Sequence, residues 1–198
     1  MPAGAGANAG GTILVVGDSL SAEYGLKRGT GWVALLQKRL TEQKLPFTVA
    51  NASISGDTTS GGRSRLPALL AQHKPAVLVL ELGANDALRG LPLGMTEENL
   101  SRMTEAGLKA GARVLLVGIQ VPPNYGADYS RRFADVYQKV AKTHKVALAP
   151  FMLKGVADIA DPTRMFQADR IHPREEAHPV ILENIWPELR KLVGNSRK

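Results

Sequence analysis

The sequence predicts an α/β protein, a three-layer α/β/α sandwich around a five-stranded parallel sheet in the order 2-1-3-4-5. Three observations predict it. Five short runs, residues 12–16, 47–51, 76–82, 112–119 and 145–150, are near-continuously apolar rather than alternating, the pattern of strands covered on both faces. Helical periodicities lie between these runs, so strand and helix alternate and right-handed crossovers follow. The 198 residues, 44% hydrophobic and only 5% aromatic, suit one domain with an aliphatic core.

The helices follow in order. Trp32, Val33, Leu36 and Leu40 mark the first, and Leu66, Leu69 and Leu70 mark the second, with Pro67 expected near its start. Leu100, Met103, Gly107 and Ala110 mark the third; Thr96 is the expected N-cap, and Glu97 and Glu98 suit the positive end of the helix dipole. Phe133, Val136, Tyr137 and Val140 recur at i, i+3, i+4, i+7 and mark the fourth. Ile181, Ile185, Leu189 and Leu192 mark the last, where Pro187 is expected to kink or restart the helix. Residues 1–11, rich in Gly and Ala, are expected to be a flexible leader, and residues 12–198 a single domain.

Composition excludes several classes of function. The chain has no cysteine, which rules out disulfides, thiolate metal sites and cysteine nucleophiles. No apolar run is long enough to span a bilayer. The first ten residues lack the basic start and apolar centre of a signal peptide. Their small-residue character suits a periplasmic or secreted protein whose signal has been replaced by an initiator Met; a cytoplasmic protein is the alternative. The net charge of +7 reads as a solvated basic surface, or as attraction to anionic lipid surfaces or acidic substrates. No basic run is interleaved with aromatics, which argues against nucleic-acid binding. Nothing in the sequence indicates an oligomeric state.

The first strand run ends at Gly17 and delivers Asp18 and Ser19. Taken alone, Ser19 reads as a helix N-cap. Downstream, Asp169-Arg170-Ile171-His172-Pro173 offers a partner. An Asp three residues before a His on a turn can hold one ring nitrogen and leave the other as an acceptor. A serine hydroxyl becomes nucleophilic when such a base removes its proton. Acyl transfer also needs donors where negative charge develops. The Ser19 backbone N–H, Gly56 and the Asn85 amide follow strand ends and converge on the carboxyl edge of the sheet. Each such donor supplies on the order of 3 kcal/mol of transition-state stabilisation.

Gly17-Asp18-Ser19-Leu20, Gly56, Gly83-Ala84-Asn85-Asp86 and Asp169-Arg170-Ile171-His172-Pro173, in that order, resemble the conserved blocks of the GDSL, or SGNH, hydrolase superfamily over residues 12–193. Asn51-Ala52-Ser53-Ile54-Ser55-Gly56-Asp57-Thr58-Thr59 and the length make the chain most similar to the bacterial multifunctional thioesterase/lysophospholipase group and related arylesterases. The resemblance implies a flavodoxin-like SGNH hydrolase fold and a periplasmic or secreted esterase. Its substrates would be acyl thioesters, aryl esters and lysophospholipids. It also implies a catalytic Ser19-His172-Asp169 triad with Ser19, Gly56 and Asn85 as the oxyanion hole. Arg170 departs from the pattern, because relatives often carry a small residue there, usually Gly. A long cation beside the base either attracts anionic substrates, narrows the entrance or simply faces solvent.

Other features complete the expectation. Residues 87–94 and 120–126 carry aliphatic residues where loops are normally polar. Leu88, Leu91, Pro92, Pro122 and Tyr125 are therefore expected to line an apolar groove for an acyl or aryl group, with Met165 and Phe166 adding to its wall. His178 also precedes a proline but is assigned to a helix surface, and His73 and His144 to helix ends. No metal-ligand spacing is present and no cofactor is needed. Two other readings stand beside the esterase: a carbohydrate O-deacetylase on the same scaffold, and a non-catalytic flavodoxin-like binding module.

Overall fold

The apolar runs pair into one sheet. In the computed structural model, which describes residues 10–194, the strands are β1 (Gly11–Gly17), β2 (Phe47–Asn51), β3 (Val77–Glu81), β4 (Arg113–Val117) and β5 (Ala147–Ala149). All pair in parallel, in the order β2-β1-β3-β4-β5. Every residue of β3 is buried, as are Ile13 to Val16 on β1, which explains their unbroken apolar character. Strand β2 departs from that expectation. It forms an edge, and only Phe47 is buried along it.

Six helices flank the sheet: α1 (Trp32–Glu42), α2 (Thr59–His73), α3 (Ala84–Leu88), α4 (Leu93–Lys109), α5 (Ala127–His144) and α6 (His178–Gly194). Helices α1 and α6 pack together on one face, and α2, α4 and α5 pack in series on the other. The predicted stripes of α1 (Trp32, Val33, Leu36 and Leu40) and α5 (Phe133, Val136, Tyr137 and Val140) are buried, whereas Leu69 on α2 and Leu192 on α6 are only partly buried and Ala110 is exposed at the C-cap of α4. Each fully buried aliphatic side chain contributes roughly 1.5–3 kcal/mol relative to exposure, so the two central strands form a firm floor under the loops at their carboxyl ends.

Several local expectations are corrected. Pro67 lies well inside α2, which starts at Thr59 and is capped by the Thr58 hydroxyl accepting from Gly61 N–H. The polar, glycine-rich first turns of that helix hide its start. Thr96 is not an N-cap: α4 begins at Leu93 behind Pro92, and Thr96 is buried within the helix. Pro187 does not interrupt α6, which runs continuously to Gly194. Helix α3 has no counterpart in the sequence reading, and its last two residues, Ala87 and Leu88, fall in the expected 87–94 loop; five residues are too few to show a period. Of the expected leader, residues 1–9 lie outside the described residues, whereas Gly11 already pairs in β1. His73 and His144 occupy the last turns of α2 and α5, as expected.

Candidate active site

Strand β1 ends at Gly17, and the chain turns immediately so that Ser19 stands above the carboxyl edge of the sheet. A close approach makes Gly17 necessary: a Cβ there would lie 2.8 Å from both Glu81 Oε2 and Ser21 Oγ. From far along the chain, the 169–173 turn brings His172 over the same edge. Its Nε2 lies 2.9 Å from Ser19 Oγ, and its Nδ1 lies 2.6 Å from Asp169 Oδ2. The other carboxylate oxygen, Asp169 Oδ1, accepts the backbone N–H groups of Ile171 and His172, each at 3.0 Å. These backbone bonds, then the bond to the imidazole, hold the Asp169 carboxyl down at about 2.

The turn is anchored from outside. Gln167 donates its side-chain amide to Tyr24 O and Pro173 O, and its N–H to His172 O. The Tyr24 ring packs against the imidazole, with centroids 4.2 Å apart. These contacts fix the imidazole's orientation before any substrate arrives.

The other predicted polar groups surround Ser19. Gly56 adopts a left-handed φ of 79° after β2, and its carbonyl accepts from Arg89. Asn85, on α3, donates its amide to Asp57 O at 2.9 Å and to Asp18 Oδ2 at 3.2 Å. The backbone N–H groups of Ser19 and Gly56 have no acceptor among the described residues.

Beneath the serine lies a polar layer that sequence reasoning missed. Glu81, fully buried at the end of β3, sits in register with Gly17. It accepts from Ser21 Oγ at 2.6 Å and from Asp18 N–H at 3.4 Å, and Trp32 Nε1 donates to Ser21 Oγ. Burial pushes the Asp18 carboxyl up to about 6. Burial and then the neighbouring Asp18 charge push Glu81 well above the carboxylate range. The available signal was a carboxylate closing an otherwise apolar strand. A second layer holds α3: Asp86 accepts from Thr59 N–H, Thr59 Oγ1 and Thr96 Oγ1, and Asn99 donates to Thr59 Oγ1.

A cleft of about 810 Å³ opens beside Ser19 and His172, walled by Leu88, Val121, Pro122, Tyr125, Phe151 and Phe166 among others. Its apolar lining accommodates a hydrocarbon or aryl group. Among the described residues, no group of three or more His, Asp or Glu side chains is placed to hold a metal ion.

The profile of the GDSL-like lipase/acylhydrolase family matches residues 15–180, a span that contains Ser19, Gly56, Asn85, Asp169 and His172. The chain belongs to that family. With it, the chain belongs to the carboxylic ester hydrolases. This GDSL hydrolase is 53% identical to Esterase TesA of Pseudomonas aeruginosa over 92% of its own length and 89% of that protein. It is 40% identical to Thioesterase 1/protease 1/lysophospholipase L1 of Escherichia coli strain K12, over 93% of its own length and 86% of that protein. The fold superposes on a crystal structure of TesA with a TM-score of 0.88 and 54% identity, covering 91% of this chain and 99% of that one.

Four residues of the GDSL hydrolase, Leu91, Pro92, Met165 and His178, differ from expectation. Leu88, Pro122 and Tyr125 line the cleft, but Leu91 and Pro92 do not. Leu91 N–H is tied back to Asp86 O and Pro92 caps α4, so both are spent on joining α3 to α4. Met165 does not line the cleft, whereas Phe166 does. His178 is not on a helix surface. It is 2% exposed, and its Nδ1 accepts Trp32 N–H at 3.0 Å. It shares the inward stripe of Ile181, Leu182 and Ile185, and burial lowers its pKa to about 4. Arg170 lies in the cleft lining with a left-handed φ of 58°.

Proposed function

We propose that this chain is a serine hydrolase that cleaves carboxylic esters and thioesters through an acyl-enzyme. Ser19 is the nucleophile, His172 the general base and acid, and Asp169 the carboxylate that orients it. The observation that carries the reading is the continuous relay from Asp169 Oδ2 through both imidazole nitrogens to Ser19 Oγ. As Oγ attacks the acyl carbonyl, its proton passes to His172 Nε2. Asp169 stabilises the imidazolium that results. The same proton then goes to the departing alcohol or thiol. Water, deprotonated by His172, releases the acid and restores Ser19.

Negative charge on the carbonyl oxygen meets the Ser19 and Gly56 N–H groups and the Asn85 amide. The contact from Asn85 to Asp57 O aims that amide, and the longer contact to Asp18 yields its hydrogen to the oxyanion. The apolar cleft favours acyl and aryl groups over acetylated sugars. Thioesters and lysophospholipids enter the reading through the E. coli relative's name. Contact with lipid surfaces fits the +7 charge. A periplasmic or secreted setting is also part of the proposal, supported by the small-residue composition of residues 1–10, and fractionation of the native host tests it.

The deciding experiment is Ser19→Ala with p-nitrophenyl butyrate. Turnover falls to background while the far-UV circular dichroism is unchanged. Retained turnover in the folded variant overturns the assignment.

A further inference from the structure

The 169–173 turn carries a cation that the reaction described above does not use. Arg170 lines the cleft together with Ser19 and His172, is exposed, and its guanidinium has no hydrogen-bond or ion-pair partner among the described residues. Other arginines nearby are committed. Arg89 donates to Gly56 O, and Arg174 to Phe166 O. The cleft's one other lining carboxylate besides Asp18 and outside the 169–172 turn, Asp158, accepts from Gly155 N–H.

The backbone makes Arg170 more telling. Its φ of 58° is left-handed and brings Cβ toward the following carbonyl, a conformation that glycine adopts freely and arginine does not. The turn imposes this conformation, because Asp169 Oδ1 captures the next two N–H groups and Arg170 N–H bonds Gln167 O. A long side chain therefore stands at a strained position, directed by the turn to the edge of the cleft.

The reaction geometry says which part of the substrate it meets. The leaving group takes its proton from His172 Nε2, so its first atom lies against the imidazole. The rest of the leaving group emerges past the turn that carries both His172 and Arg170. The acyl chain occupies the apolar wall instead. We propose that Arg170 forms a subsite for a phosphate-bearing leaving group, selecting anionic acyl esters and thioesters over neutral ones of equal chain length. The guanidinium supplies paired donors suited to phosphate oxygens, and the net charge of +7 favours approach of such substrates. This inference rests on the ester-hydrolase reading.

The test compares matched pairs of substrates with wild type, Arg170→Gln and Arg170→Lys. One pair is octanoyl-CoA and the octanoyl thioester of N-acetylcysteamine. The other is lysophosphatidylglycerol and the monoacylglycerol of the same chain. In Arg170→Gln, the ratio of kcat/KM for the phosphate-bearing member to that for the neutral member falls about 10-fold, the scale of one charge-assisted hydrogen bond. Arg170→Lys retains part of the preference, and 0.5 M NaCl narrows the wild-type ratio. A fall in both pairs assigns recognition to phosphate in general. A fall in the thioester pair alone, or in the lipid pair alone, assigns it to that source. An unchanged ratio in both pairs, with all four substrates turned over, overturns the subsite and leaves the hydrolase reading intact. Failure of wild type to turn over any of the four substrates overturns both.

Discussion

Asp169 does two jobs with two oxygens. One orients the imidazole, and the other gathers the backbone N–H groups that shape the turn. Removing it loosens His172, the proposed base, and leaves Ser19 and the proposed oxyanion donors in place. Asp169→Ala is therefore expected to lower kcat on a nitrophenyl ester by roughly 10²- to 10⁴-fold, less than Ser19→Ala. An equal loss in both variants would mean that the turn collapses without its carboxylate. The Asp169 carboxyl is depressed in the folded protein, so its contribution is complete above the unfolded carboxylate range and fades only as pH falls toward about 2. These residues were legible because each chemical type stood in a distinctive local setting: a serine at a strand end, and an acid three residues before a histidine. Glu81 and Asp18 were not read as a pair, since only the register of β1 with β3 brings them together.

At the level of elements, His178 joins α1 to α6 by accepting the Trp32 N–H that begins α1. The bond needs an unprotonated Nδ1. Burial, as the largest cause, sets its pKa at about 4, below the usual 6.5. The unfolded chain therefore takes up the proton first as pH falls. Stability supplied here is complete above about 6.5 and is lost progressively as pH drops through 4. Thermal unfolding midpoints should decline over that window, and His178→Asn should reduce the decline. An identical pH slope in the variant would remove His178 from the account. Sequence periodicity placed α1 and α5 well, because their core stripes repeat over several turns, and it found α4 and α6 while missing the start of the one and the continuity of the other. It failed for α3 and the start of α2. Both are held by Asp86, Thr59, Thr96 and Asn99, a network whose members are scattered in sequence and carry no period. That network presents Asn85, so one of the expected oxyanion donors owes its position to contacts the sequence did not display.

Across the whole molecule, Ser19 and His172 are separated by 153 positions yet meet within hydrogen-bond distance. β1 is interior in the sheet, between β2 and β3, while the 169–173 turn leads into α6, which packs on β4, β5 and α1. One continuous core therefore underlies both Ser19 and His172. Loss of esterase activity and loss of far-UV circular dichroism should coincide in a urea titration. An earlier loss of activity would show that the 169–173 turn opens independently of the sheet. The strand order was readable from alternation and crossover handedness. The partial exposure of β2 was not read, although that order already sets it at an edge, because Val49 and Ala50 keep its run apolar.

The distance along the chain between hydroxyl and imidazole has a consequence for synthesis. A nascent polypeptide still short of Asp169 already contains Ser19 but not His172, the base proposed for it. On the proposed mechanism, the hydrolase stays inactive during synthesis until the 169–173 turn has been made and has folded back onto the end of β1.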